Sequence, residues 1–121
     1  MGKFAASFHE LEVWQLGIRI VKGVYRIAER LPQREEYGLS GQMKRAAISL
    51  PANIAEGFRR RHPKEFRQSL HIALGSAAEL ETYCVLCREL FTDLGVDASA
   101  LSEDVVRFQK TTNTFLGRLK S

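Results

Sequence analysis

Cysteine, proline and tryptophan are scarce: the 121 residues contain two, three and one of them. Cys84 and Cys87 stand one helical turn apart, where a bridge would constrain almost nothing. The fold therefore cannot depend on disulfides, and both thiols are expected to be free in a reducing compartment. No run approaches the ~20 apolar residues that a membrane-spanning helix needs, and the opening MGKFAASFHE has no apolar signal-peptide core. A cytoplasmic protein that does not engage a membrane is the expectation. Glu-x-x-His, the pair from which di-iron bundles are built, does not occur, and His9, His62 and His71 are scattered. A phosphate-cradling glycine loop and a nucleophile elbow are missing as well. These absences predict no catalytic residue, no metal and no cofactor, hence a protein that is not an enzyme.

What the sequence does contain is a globular balance, 45% apolar and 26% charged residues in 13.7 kDa. That is enough for one core without metals or cross-links. A single domain over 1–121 is expected, with 1–7 as a flexible N-terminal arm. The net charge of +4 is unevenly spread: residues 1–67 hold 13 basic and 7 acidic side chains, and residues 68–121 hold 5 and 7. The basic first part can face a polyanion, or it can meet the acidic second part of another copy in an assembly.

Apolar residues recur at intervals of three and four in four segments, the period of a helix with one face buried. Helix 1 is expected from about Phe8 to Arg30, with Ser7 and Glu10 in capping-box spacing and Pro32 as its stop. Helix 3 is expected from His62 and Pro63 to about Asp93, along Phe66, Leu70, Ala73, Ala77, Leu80, Cys84, Cys87, Phe91 and Leu94. Gly95 then supplies a left-handed stop, and Asp97 or Ser99 can cap helix 4. Helix 4 follows Leu101, Val105, Phe108, Thr112, Phe115 and Leu119, with Thr112 interrupting the apolar row. No segment alternates with period two, so strands are not expected. Short connections favour antiparallel neighbours, which gives an all-α, antiparallel up-and-down four-helix bundle.

Helix 1 is more apolar than such a bundle requires. Leu11, Trp14, Ile18, Val21, Tyr25 and Ala28 form the expected inward stripe. Turning ~100° per residue puts Val13, Leu16, Ile20, Val24 and Ile27 on a second apolar side. Between them only Gln15, Arg19, Lys22, Arg26 and Arg30 leave a polar strip. The second side is therefore predicted to be a subunit interface, in a homo-oligomeric ring; the alternative is a helix buried deeply within a single chain, although three partner helices can hardly surround it.

Helix 2 should run from Ser40 to about Arg60, with Met43, Ala47, Leu50, Ile54 and Phe58 inward. Pro51 falls inside it, removes one donor and presses on the Ala47 carbonyl, so a local bend is expected. On its other side Gln42, Arg45, Ser49, Asn53, Glu56 and Arg60 make a polar ladder. These groups can satisfy one another, answer carbonyls freed by Pro51, pair with Glu79 and Glu81 of helix 3, or simply face solvent.

Three segments, FHELEVWQLG, LSGQMKRAAISLPANIAEGFRR and FRQSLHIALGSAAELET, together resemble the 23S rRNA intervening-sequence protein family over roughly Phe8 to Leu90. The resemblance implies a four-helix bundle that assembles into a ring, typically a pentamer. Some members are encoded within insertions in 23S rRNA genes. The bundle is also similar to the accessory proteins of diversity-generating retroelements, basic pentamers that work with a reverse transcriptase and its template RNA. One departure stands at Ala73 to Ser76, ALGS, where the family more commonly has an arginine before the glycine.

The cations Arg59, Arg60, Arg61, Lys64 and Arg67, with His62 among them, gather where helix 2 ends and helix 3 begins. Arginines grip phosphate oxygens with paired donors, which points to RNA or another nucleic acid as partner. Cations at a helix C-terminus also suit the helix dipole, and a solvated turn would read the same way. A scaffold that presents its ring to a protein such as a reverse transcriptase, without direct nucleic-acid contact, is the alternative partner reading.

Overall fold

Four apolar segments separated by short polar links fold as four helices. The computed structural model describes residues 5–119 and contains α1 (Glu12–Arg30), α2 (Leu39–Arg59), α3 (Pro63–Leu90) and α4 (Gly95–Arg118). Short 3-10 turns occupy Phe8–Glu10, Gln33–Glu35 and Thr92–Leu94. No strand occurs among the described residues. Each helix packs on the next and α4 closes back on α1.

Cross-contacts give the direction of every pair. Between α1 and α2, Gly17 faces Pro51 and Tyr25 faces Lys44. Between α2 and α3, Met43 meets Cys87, Ser49 meets Ser76 and Phe58 meets Phe66. Between α3 and α4, Glu81 meets Gln109 and Phe66 meets Phe115. Between α4 and α1, Arg107, Asp104 and Asp97 pair in turn with Glu12, Arg19 and Arg30. In all four pairs one number rises as the other falls, so neighbouring helices are antiparallel.

The orientation of α1 corrects the sequence reading. Val13, Leu16, Ile20, Val24 and Ile27, expected on an outer side free for another subunit, form the inward stripe and are each 6% exposed or less. Trp14, Ile18, Val21 and Ala28, expected inside, are half-buried, and Tyr25 is 41% exposed. The reason is Gly17, which lies among the first set. A Cβ there would meet Cδ and the backbone N of Pro51 at 3.1 Å, so only the side carrying glycine lets α2 come this close. The rings of Trp14 and Tyr25 instead take the rim, where a polar tip can stay wet. These five residues cannot therefore form an interface between subunits.

Smaller corrections have equally local causes. Helix α2 starts at Leu39 and ends at Arg59, with Pro51 inside it as expected. Ser7 caps the first 3-10 turn by accepting from the His9 amide, rather than capping α1, whose N-cap is Leu11. Helix α3 ends at Leu90, and Gly95 is right-handed, with φ −57° and ψ −41°, as the first residue of α4. The chain there turns through Thr92–Leu94 and buries Leu94, so no left-handed stop is needed, and Asp97 pairs with Arg30 instead of capping α4. Of the expected N-terminal arm, residues 1–4 lie outside the described ones, while Ala5 is buried against the core. Among the described residues no helix is long and apolar enough to cross a membrane.

Candidate nucleic-acid interface

Antiparallel order brings the start of α1, the end of α2, the start of α3 and the end of α4 to one pole. Below that pole Phe58, Phe66 and Phe115 stack edge to face, with ring centres 6.0 and 5.5 Å apart. Gly57 lets α3 approach closely, since a Cβ there would lie 2.6 Å from Ser69 Cβ. The floor under the basic turn is thus tightly packed.

Three residues, Arg60, Arg61 and His62, connect α2 to α3. The amides of Arg60 and Arg61 close the last turn of α2 by donating to Glu56 and Phe58 carbonyls, each at 3.2 Å. Arg61 has φ 54°, and no other non-glycine residue described has a positive φ. His62 then leads into α3, with Pro63 at the first helical position, where its missing donor costs nothing.

The five cations expected to meet phosphate have different surroundings. Arg60 pairs with Glu65 at 3.1 Å, and His62 lies 4.0 Å from the same carboxylate. Arg67 is half-buried and donates to the Leu119 carbonyl at 2.8 Å. The guanidinium of Arg59 lies 5.3 Å from the centre of the Phe8 ring. Arg61 and Lys64 are exposed, and no described residue pairs with either. The dipole of α2 favours Arg59 and Arg60 at its C-terminus, but that of α3 opposes Lys64 and Arg67 at its N-terminus. Helix electrostatics therefore accounts for only part of the cluster.

An aromatic group that the sequence reading passed over completes the pole. Phe8 stacks on His9 with centres 4.2 Å apart, and His9 meets Trp14 at 5.0 Å, edge on. A hollow of about 210 Å³ opens beside them, lined by Ala6, Ser7, Phe8, Phe58, Arg59 and Arg61. The signal was present in FHELEVW, because an antiparallel bundle must set the start of helix 1 against the end of helix 2.

The other basic strip is a different kind of surface. A groove of about 740 Å³ between α1 and α4 carries Arg19, Lys22, Arg26 and Arg30, but also Glu29, Asp97 and Asp104. Arg19 pairs with Asp104 at 3.2 Å, and Arg30 pairs with Asp97 and reaches the Asp93 carbonyl. Much of its charge is answered within the chain.

The polar ladder of α2 divides in two. Ser49 Oγ and Ser76 Oγ lie 2.8 Å apart, and Asn53 donates to both the carbonyl and the hydroxyl of Ser49. Gln42, Arg45 and Glu56 face solvent, and Glu81 accepts from Gln109 rather than from α2. Cys84 and Cys87 are buried free thiols, and burial pushes Cys84 from an ordinary 9.0 to about 12. No three histidine, cysteine, aspartate or glutamate side chains gather as a metal site among the described residues.

Residues 9–114 of the chain match the sequence model of a family described as 23S rRNA-intervening sequence protein. Comparison with curated proteins finds no match.

Proposed function

The chain belongs to the 23S rRNA-intervening sequence protein family, and from that premise we propose that it is a non-enzymatic, oligomeric, cytoplasmic module that binds structured RNA at its basic pole. One observation carries the reading. Across residues 59–67 five lysines and arginines face a single acid, Glu65, above a rigid floor of aromatic rings. Guanidinium groups held in this way give salt-dependent grip on phosphate with little sequence preference. The family's name associates it with 23S rRNA, which agrees with such a ligand.

The assembly we infer is a ring, of five copies as the family resemblance implies. A ring repeats the basic pole on every subunit, so weak contacts add through effective concentration. A ring also needs two different surfaces that meet head to tail. Tyr25 and Ile48 on the α1–α2 side supply one set of exposed apolar groups, and Ile72, Leu86 and Leu90 along α3 supply another.

Replacing Arg59, Arg60 and Arg61 together by alanine should weaken binding to structured RNA across sequences and flatten the salt dependence. Unchanged affinity would reject the pole as the site. The exposed row on α3 favours a second reading, in which the module holds a protein partner such as a reverse transcriptase. Capture of that protein from nuclease-treated extract, with no affinity for purified RNA, is the result that reading requires.

A further inference from the structure

We propose that the hollow beside Arg61 receives one unpaired nucleobase, so that the protein selects loops and free ends of RNA over fully paired helix. The inference rests on the RNA-binding reading above and names which part of an RNA that site takes.

Three observations converge on the hollow. Its lining combines two aromatic residues, Phe8 and Phe58, with two arginines, Arg59 and Arg61. Its volume of about 210 Å³ lies below the ~300 Å³ at which pockets for drug-sized ligands begin, which suits a single planar ring system. Bases in a paired helix are stacked away from such a recess, whereas splayed-out bases stack on aromatic and guanidinium planes.

Arg61 is the second observation. It occupies the left-handed position that ends α2, where glycine is the usual residue and a side chain is strained. It nevertheless has no partner among the described residues. An unpaired cation kept in a strained conformation beside an open recess is placed to meet a ligand, and here a phosphate next to the seated base meets its chemistry.

His9 is the third. It is exposed, stacked on Phe8 and edge-on to Trp14, so it adds an aromatic ring next to a residue that lines the hollow. A second unpaired base can lie on it. Because Trp14 is the only tryptophan in the chain, its emission reports events at this surface.

The test uses the full chain with a single-stranded oligoribonucleotide, a blunt duplex of equal phosphate count, and inorganic polyphosphate. The single strand should bind at least about tenfold more tightly than the duplex and change Trp14 emission, and polyphosphate should bind without that change. Arg61→Gly should keep or raise the melting temperature, since glycine suits the position, yet lose most of the single-strand preference. His9→Ala should reduce single-strand affinity several-fold and leave duplex affinity unchanged. Equal affinity for both RNAs, or full preference retained in both variants, overturns the inference and leaves the pole as a phosphate site alone. No binding to either RNA at low salt overturns the RNA-binding reading with it.

Discussion

The ring of Pro51 occupies the space that a side chain on Gly17 would need, since a Cβ there would lie only 3.1 Å from the proline Cδ. Two residues usually disfavoured in helix interiors thus meet where α1 packs on α2. Gly17→Val should destabilise the fold by about 1–3 kcal/mol through overpacking. The same substitution should cost less in a Pro51→Ala background, because an alanine at position 51 carries no ring at the point of contact. A double-mutant cycle by chemical denaturation checks this, and additive effects would show that the two residues are not coupled.

Thr112 is fully buried, and among the described residues its hydroxyl has no hydrogen-bond partner. A desolvated, unpaired hydroxyl costs on the order of 1–3 kcal/mol, and valine has nearly the same shape without it. Thr112→Val should therefore raise the melting temperature by a few degrees. A fall instead would mean that the hydroxyl is satisfied in solution.

The two thiols should be inert in the folded protein. Burial raises both, Cys84 to about 12, with the neighbouring Cys87 adding to the effect. Since the folded pKa lies above the unfolded one, the folded state keeps a proton that the unfolded chain releases. The contribution of Cys84 is intact below the ordinary 9.0 and is lost as pH climbs towards about 12, and that of Cys87 is lost in the same direction. Iodoacetamide at about pH 8 should label neither cysteine in native protein and both in denaturant, because only the thiolate reacts.

Sedimentation at micromolar concentration should show a species several times the 13.7 kDa of one chain. Ile72→Asp, at a position 50% exposed in the single chain, should shift that species towards monomer while leaving helicity intact. Val24→Asp, at a fully buried position, should unfold the protein instead. A monomeric parent protein would reject the assembly.

Helix number, order and most of α2, α3 and α4 could be read from the sequence because their apolar rows are single. Phe66, Leu70, Ala73, Ala77, Leu80, Cys84 and Cys87 are all buried, as the spacing required. Helix α1 misled because two rows compete on it, and periodicity measures how apolar a side is, not which neighbour can approach it. Gly17 decided between them, through a contact with Pro51 that only the tertiary structure contains. At the basic pole the cations were legible as a run, whereas the partners of Arg60 and Arg67 depend on side-chain geometry that spacing does not carry. Phe8 and His9 were legible in principle, by crossing the predicted antiparallel order with the position of the arginines.

Because the helices alternate direction, Ala5 and Leu119 both come out beside the α2–α3 turn, and the Leu119 carbonyl is held there by Arg67. Anything fused before the one or after the other would overhang the arginines and could screen them from a ligand. The far end of the bundle is the safer place for a fluorophore or a surface tether. Tyr37 and Val96 stand there at 90% and 85% exposure, about a bundle's length from the charge.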